Sequence, residues 1–271
     1  MRYWKGSIVL SPTRDYPLLR HVLHSGFITH NQLFAFLSLD YSLSSRNAFN
    51  NRVRRLVEHG LLTRCEMPFV NREAVYSVSH AGVSEFVGRG EHYVQPAGTP
   101  RSNTAQRSLH HSLELNEIHL ALKRSGTLVY WMPETEIRSR NDLTPHGYWK
   151  YYDAIVTVRL AGQHYKFALE YERTPKAARH YLAIRQRIEQ EASISHFLYL
   201  VSNYDLLWFV AEKLSDCKRA IYFGLFRDFL QQTLTLGVRR SGSAASTSLD
   251  SILTQRRVAE RTGALFPDIA V

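Results

Sequence analysis

The sequence predicts an α/β protein (α+β overall) in two parts: a helical block that ends in a β-hairpin, and a mixed sheet flanked by helices. Residues 12–93 carry three helical patterns followed by two β-prone stretches, and residues 109–235 alternate helical and strand patterns. Residues 94–108 are polar, contain two prolines and lack periodicity, which predicts a linker. Residues 236–271 begin rich in Gly, Ser and Ala, which predicts a flexible tail with a short helix.

The first block has the element order of a winged helix-turn-helix. Apolar residues at helical spacing predict three helices; Ser44 or Ser45 is expected to cap the third, which Gly60 closes. A winged helix-turn-helix places its third helix in the DNA major groove, so this block is predicted to bind double-stranded DNA. The three helices, the two hairpin strands and a last short helix are predicted over residues 16–24, 29–37, 45–60, 61–67, 73–78 and 80–87.

Polar side chains crowd onto the third helix. Asn and Arg can make bidentate contacts with adenine and guanine edges, and Asn is a poor helix former whose repetition needs a reason. A solvated polar face is the alternative interpretation. Near the proposed wing, Arg64 and Arg72 are placed to hold phosphate. The candidate DNA-binding residues of the helix are Arg46, Asn47, Asn50, Asn51, Arg54 and Arg55.

The second block alternates helices and strands. The order α-β-β-β-α-β-α-β-α predicts a mixed sheet with helices on both of its faces. A polar loop is expected after the first strand, and an Ala-Gly turn joins the second and third strands. The helices are predicted over residues 109–124, 176–192, 206–214 and 227–234, and the strands over 127–137, 153–160, 165–171, 196–202 and 219–226.

Three acidic residues mark the end of the central hairpin of this block. Asp153 opens one strand, and Glu170 and Glu172 close the next. Because side chains alternate along a strand, both glutamates project to one side, where a twisted hairpin can bring Asp153 to them. Converging carboxylates repel each other unless a cation joins them, and hard oxygen ligands suit Mg²⁺ or Mn²⁺. The alternative is that these acids only cap loops or pair with arginines.

The second block resembles the core of the restriction-endonuclease-like PD-(D/E)xK superfamily. The resemblance lies in the order helix, three-strand meander, helix and strand, with an Asp at the second strand and (D/E)-x-K on the third. Asp153 matches that Asp, Glu170 matches the acidic member and Tyr171 is the spacer. Glu172 stands where the superfamily usually has Lys, a departure that puts activity in question.

The same resemblance implies roles for nearby residues. Glu117 matches the accessory helix acid of many members and would be a further metal ligand, with Glu114 as the second choice. Lys176 would serve as a displaced catalytic lysine. Asp153, Glu170 and Glu172 would hold one or two Mg²⁺ or Mn²⁺ ions that polarise the scissile phosphate and activate water. Glu172 would complete the shell of the ion or accept the proton of the attacking water. The guanidinium of Arg173 would bind flanking phosphate with its fork geometry.

A winged helix that precedes this acid pattern reduces the number of PD-(D/E)xK families that the chain resembles. It is similar to the replication-relaxation family of plasmids and conjugative elements, and to the mobilisation relaxases of the C class. The latter are thought to cleave DNA with an acidic triad and not through a covalent tyrosine. His110, His111 and His119 do not resemble the histidine motif of the commoner relaxases. Tyrosines near the acids, such as Tyr151, are expected to pack.

Composition agrees with a protein that meets nucleic acid. The 271 residues carry a net charge of +10, and strongly basic proteins often bind DNA or RNA. The chain contains no apolar run as long as a membrane helix needs and no P-loop or dinucleotide fingerprint. Its two cysteines lie far apart, which argues against a disulfide framework or a zinc cluster and favours a reducing cytoplasm.

These observations predict a site-specific DNA-binding protein that nicks or cuts DNA with Mg²⁺ or Mn²⁺. The resemblance implies a relaxase of a plasmid or conjugative element that acts at an origin of transfer. Two alternatives stay open: a non-catalytic regulator of replication or transcription on a degenerate nuclease fold, and a repair or defence endonuclease. Expected partners are double-stranded DNA, single-stranded DNA at the cleavage site, a second copy of the chain and other relaxosome proteins. No membrane is expected among them.

Overall fold

The computed structural model describes residues 8–41, 45–65, 73–93, 103–144, 147–243 and 245–255, with residues 103–107 described by their backbone alone. The described chain forms a three-stranded antiparallel sheet with its helices and a seven-stranded mixed sheet with helices on both faces. No helix among these residues is long and apolar enough to cross a membrane.

The N-terminal part contains the helices and the hairpin that the sequence predicts. Its sheet has the order β1-β3-β2. The side chain of Ser45 accepts a hydrogen bond from the backbone of Ala48 at 3.2 Å, so Ser45 caps the third helix. Whether this part is a DNA-reading winged helix stays a prediction. The elements are α1 (Asp15–Ser25), β1 (Ile28–Thr29), α2 (His30–Tyr41), α3 (Arg46–Glu58), β2 (Leu62–Cys65), β3 (Val75–Val78) and α4 (His80–Val87).

The seven-stranded sheet follows the predicted meander and crossovers. Its order is β10-β9-β8-β7-β6-β5-β4, with β4, β5 and β6 antiparallel and β6, β7 and β8 parallel. The strands are β4 (Leu128–Pro133), β5 (Ala154–Leu160), β6 (Gln163–Glu172), β7 (His196–Val201), β8 (Ile221–Leu225), β9 (Gly237–Arg240) and β10 (Ser246–Ser248). The helices are α5 (Asn103–Arg124), α6 (Glu134–Leu143), α7 (Ala178–Gln190), α8 (Tyr204–Lys213), α9 (Phe226–Gln232) and α10 (Leu249–Thr254).

The two faces of this sheet carry different helices. On one face, Ile118 of α5 belongs to the same buried cluster as Leu169 and Tyr171 of β6. On the other face, Ile184 of α7 is buried together with Ala168 of β6. Alternation along β6 therefore assigns its even-numbered residues to the face of α7 and its odd-numbered residues to the face of α5.

The segment after β4 differs from the prediction. The strand was expected to run to residue 137 and to give way to a polar loop, but α6 begins at Glu134 and buries Ile137. Arg138 binds Glu134 at 2.5 Å, and Arg140 binds Glu136 at 2.7 Å. Both pairs have i,i+4 spacing, which supports a helix and which an apolar-periodicity criterion overlooks.

Over the part that the structure describes, the predicted tail contains the short helix that was expected, α10, but the flexible stretch predicted before it is wrong. Strands β9 and β10 extend the sheet, and Val238, Leu249 and Ile252 are buried beside it. The small and polar residues of this segment do not indicate strands, because the two strands are stabilised by pairing with each other and with β8, and local composition does not reveal such pairing. Residues 256–271 lie outside the described residues.

The predicted linker is shorter than 94–108, because α5 already begins at Asn103; residues 94–102 lie outside the described residues. Helix α5 also contacts the N-terminal part through buried polar groups. The side chain of Gln32 donates to the backbone oxygen of Leu113 at 2.9 Å, and that of Asn116 donates to the backbone oxygen of Phe27 at 2.8 Å. Buried amides with fixed partners hold α5 in register against α2.

Candidate functional site

The three predicted acids lie where β5 begins and β6 ends. Glu170 and Glu172 are 4% and 2% exposed, on the face of the sheet that α7 and α8 cover. Asp153 immediately precedes β5. Fully or nearly fully buried carboxylates need partners, and the partners show what the site can do.

Asp153 is held as an anion by groups from two elements. Its Oδ2 accepts from the backbone N–H of Tyr171 at 2.7 Å, and its Oδ1 lies 3.1 Å from His111 Nε2. Burial opposes the charged form, but His111, Lys150 and the Tyr171 N–H lower the pKa of Asp153 to about 2. The pKa of His111 is correspondingly raised: burial works against its protonation, but the charge and hydrogen bond of Asp153 and the charge of Glu170 together outweigh that effect.

Glu170 has the opposite balance. Its Oε1 accepts a short hydrogen bond from Lys150 Nζ, and the side chain of that lysine is only 11% exposed. Burial raises the pKa of Glu170 to about 7, in spite of the lowering effect of Lys150 and with a further raising effect from Asp153. The sequence reasoning missed Lys150, although a basic residue three positions before Asp153 was a usable signal.

Glu172 is occupied by partners at its own end of the strand. Its Oε1 accepts a short hydrogen bond from Tyr181 Oη and lies 3.3 Å from the backbone nitrogen of Lys176. Its Oε2 lies 3.2 Å from Lys176 Nζ. Burial would lower the pKa of Lys176, but Glu170, Glu172 and Asp153 together raise it, so its ammonium group stays charged beside the acids.

The predicted accessory acids do not join this cluster. Glu117 Oε1 accepts from Gln32 Nε2 at 2.7 Å, on the side of the N-terminal part. Glu114 Oε2 binds Tyr171 Oη at 3.0 Å and Arg173 Nε at 2.8 Å. Helix α5 packs on the face opposite Glu170, so the prediction for Glu117 as a metal ligand is wrong; at the sheet edge, α5 supplies His111 instead.

The arrangement fits a magnesium site only in part. Among the described residues, no group of three or more His, Cys, Asp and Glu is placed to hold a metal ion. The expected three-carboxylate set is not assembled, because Glu172 is engaged by Tyr181 and Lys176. Asp153 and Glu170 influence each other's charge directly, and one or two carboxylates are what Mg²⁺ commonly takes from a protein. The donor chemistry of this pair therefore fits Mg²⁺ or Mn²⁺. Binding of the ion by Glu170 would require Lys150 Nζ to move away from Glu170 Oε1.

Helix α3 presents the predicted polar surface in part. Asn47, Asn50 and Arg54 are exposed, and Asn50 Oδ1 lies 2.9 Å from His30 Nε2. Arg46 is less free: its guanidinium donates to Asn31 Oδ1 at 2.5 Å and lies over an aromatic ring of the neighbouring helix. The contacts of Arg46 fix the approach of α2 to α3 beside this surface.

One predicted DNA contact points elsewhere. Arg55 Nη2 and Arg52 Nη1 each lie 2.8 Å from a carboxylate oxygen of Asp15, which is fully buried. The prediction of Arg55 as a member of the DNA-reading face is therefore corrected: it joins α3 to the start of α1.

The remaining predicted phosphate contacts differ in their surroundings. Arg64 is exposed on β2, and Arg173 is paired with Glu114. Asn51 is exposed and its Oδ1 lies 3.4 Å from Arg54 Nη2. Arg72 lies outside the described residues.

A family match and a structural similarity relate this chain to known proteins. The family model described as replication-relaxation matches residues 19–192. None of the curated proteins matches the chain. A solved structure of the restriction endonuclease FokI bound to DNA is similar over 83% of this chain and 45% of that chain, with 11% identity and a TM-score of 0.25. A score this low carries no conclusion about activity, and this chain spans less than half of that one.

Proposed function

The chain belongs to the replication-relaxation family, and on that premise we propose that it binds duplex DNA through α3 and nicks a strand at the acid cluster. The finer proposal is a relaxase that acts at an origin of transfer with Mg²⁺ or Mn²⁺. Arg54, Asn47 and Asn50 would contact the duplex, since these exposed side chains suit base edges and phosphates.

The observation that carries the nicking proposal is the placement of Asp153 and Glu170 at one edge of the sheet, each with its own partners: His111 and the Tyr171 N–H on Asp153, and Lys150 on Glu170. The pKa of Asp153 is lowered to about 2 while that of Glu170 is raised to about 7. Pairs of acids whose surroundings separate their pKa values are typical of catalytic sites, where one stays ionised and the other exchanges a proton.

The residues suggest how the work is divided. Asp153 and Glu170 would hold the divalent ion, which when bound would polarise the phosphate and acidify a water. The His111 imidazole and the Tyr171 N–H orient the Asp153 carboxylate and keep it ionised. The exposed ammonium group of Lys176 supplies a positive charge beside the acids that would attract the phosphodiester to this edge of the sheet.

Metal-dependent nicking of supercoiled plasmid DNA tests this proposal. We expect open circles in Mg²⁺ or Mn²⁺, none in EDTA, and at least a tenfold slower rate for Glu170→Gln. The matched control is Glu134→Gln, at a surface ion pair on α6. Equal rates for wild type and Glu170→Gln would refute the acid cluster as the site.

A regulator without catalysis is the second candidate. It is favoured by the lysine partners that already neutralise Glu170 and Glu172, and by the glutamate that stands where the PD-(D/E)xK pattern has lysine. This candidate predicts specific duplex binding with no nicking under any ion. A repair or defence endonuclease would instead nick DNA without preference for one origin.

The expectations for partners remain proposals. A homodimer would let two α3 helices read paired half-sites, and relaxosome proteins would bring the complex to its origin. A cytoplasmic location is the natural setting for a protein that acts on plasmid DNA.

A further inference from the structure

Helix α8 exposes two aromatic rings, one turn apart. Tyr204 is 62% exposed and Trp208 is 55% exposed. Residues at i and i+4 lie on the same side of a helix. The same helix buries Leu206, Leu207 and Val210 against the sheet, so the exposed pair is not needed for the core. Large exposed rings that come in neighbouring pairs suggest a binding surface.

This pair lies beside the acid cluster. Glu172 pairs with Val201, the last residue of β7, and the backbone nitrogen of Ser202 donates to Glu172 O at 3.3 Å. The side chain of Asn203 then caps α8 by accepting from the backbone of Leu206 at 2.9 Å. Helix α8 therefore starts at the sheet edge where the acids lie, and Tyr204 is its first residue.

The sheet register adds a cation on the same face. Paired residues on neighbouring strands share a face of the sheet. One such row of paired residues crosses four strands, from Glu170 on β6 to Arg239 on β9. Three strand spacings separate these two residues, which is about 14 Å. The guanidinium carbon of Arg239 lies 5.3 Å from the centre of the Trp208 ring, close enough for a cation–π contact. The row consists of Glu170, Tyr199, Phe223 and Arg239.

The surroundings of Trp208 carry both signs of charge with a basic excess. A cavity of about 330 Å³ lies beside the ring and includes Arg239, Arg240 and Glu212 in its wall. Glu212 Oε1 is paired with Lys213 Nζ at 3.0 Å. Asp205 is exposed next to Tyr204. The two arginines thus outweigh the one cavity-lining carboxylate, which is already neutralised.

We propose that Tyr204, Trp208 and Arg239 form a platform for single-stranded DNA beside the acid cluster. The two rings stack on unpaired bases, and Arg239 steadies Trp208 and attracts the phosphate backbone. Stacking on aromatic side chains tolerates any base sequence but needs bases whose faces are free, which a duplex does not offer. The inference rests on the proposed function, because the platform would hold the strand that enters or leaves the cleavage site.

Binding measured without divalent ions separates this proposal from cleavage. Fluorescence anisotropy of a labelled oligothymidine and of a labelled duplex, both in EDTA, is compared for the wild type and Tyr204→Ala/Trp208→Ala. We expect the double variant to lose at least tenfold in affinity for the single strand and less than twofold for the duplex. Tyr41→Ala, which removes an exposed ring from α2, is the matched control.

A second variant guards against simple misfolding. Tyr204→Phe/Trp208→Phe keeps the rings and should retain affinity within about threefold, and Arg239→Ala should flatten the salt dependence by about one unit of slope. Equal affinity of wild type and alanine variant for the single strand overturns the platform, as does an equal loss for strand and duplex. A change of oligomeric state in the alanine variant, with strand binding intact, would also overturn it and assign the rings to a protein interface. If the platform is overturned in this way while the wild type still nicks plasmid DNA, the proposed function stands without the platform. If the wild type never nicks but its affinity for the single strand depends on the two rings, the platform stands without the nicking activity.

Discussion

The polar face of α3 and the acid cluster of the sheet use charged and polar residues in opposite ways. Asn47 and Arg54 stand exposed on the surface of a helix, whereas Glu170 and Glu172 are almost entirely buried. An exposed group is solvated by water, so its charge state does not depend on a partner from a distant segment. A buried carboxylate depends on partners from distant segments, such as Lys150 and Tyr181, and those partners set its protonation. The sequence therefore indicates the charge state of the residues on α3, but not that of the acids in the cluster.

The largest effect is expected from neutralising Asp153, the ionised member of the pair that it forms with Glu170 in the acid cluster. Asp153→Asn keeps the shape but removes the charge that holds His111 and would hold the ion. We expect the plasmid-nicking rate to fall by about 1,000-fold. Asp216→Asn, which changes a carboxylate in an exposed pair with Arg185, should leave the rate unchanged. A loss smaller than tenfold for Asp153→Asn would leave catalysis to other groups.

Asp15 is a buried acid of the N-terminal part, and it tests whether burial alone distinguishes the regions. Asp15→Ala leaves Arg52 and Arg55 without their shared carboxylate. We expect the free energy of unfolding to drop by about 3 kcal/mol in urea titrations. The exposed Asp142→Asn should change it by less than about 0.5 kcal/mol. A decrease of less than about 1 kcal/mol in the free energy of unfolding would mean that water solvates Arg52 and Arg55 as favourably as the Asp15 carboxylate does.

A pH titration sharpens the comparison at the contact between the two parts. Burial, with smaller effects of His21 and Arg20, lowers the pKa of His24 to about 3, and its Nε2 is buried without a hydrogen-bond partner among the described residues. Since the unfolded chain binds this proton near pH 6.5, stability is present above that pH and is lost as the pH falls towards 3.

Between pH 7 and pH 5.5 we expect His24 to account for about 1 kcal/mol of lost stability. His24→Gln should remove that share of the pH dependence in thermal or urea unfolding. His164→Gln changes an exposed histidine on β6 and serves as the control. An unaltered pH profile for His24→Gln would place the titrating group elsewhere.

The smallest effect concerns a single exposed arginine. Arg54→Ala should weaken duplex binding severalfold and reduce the slope of log affinity against log salt by about one unit, because one phosphate contact is lost. Arg159→Ala, on an exposed position of β5, should change neither quantity. A slope that is identical in wild type and Arg54→Ala would remove α3 from the DNA interface.

Local patterns predicted much of the secondary structure. The spacing of apolar residues placed α3 between Ser45 and Gly60, and the hairpin of β5 and β6 was placed correctly because an Ala-Gly turn separates two β-prone runs. The same approach missed α6, which relies on i,i+4 ion pairs, and β9 and β10, which depend on a partner strand. Secondary-structure propensity describes a short stretch of sequence, whereas these elements are stabilised by side-chain ion pairs or by strand partners that it does not include.

The candidate site shows the same division. Strand alternation was enough to place Glu170 and Glu172 on one face, and chain proximity was enough to suggest Lys176 as a neighbour. Which helix packs on that face could not be read from the sequence, so Glu117 was assigned to the cluster while it binds Gln32 instead. The contacts of His111 and Lys150 were missed for the same reason.

By itself, the sequence determined the basic character of the chain, the order of most helices and strands, and the presence of three acids at one end of a hairpin. Only the tertiary structure decided which acids have which partners, and hence which of them is ionised. The reason is physical: the charge state of a buried group depends on desolvation and on neighbours within a few ångströms, and those neighbours come from segments far away along the chain.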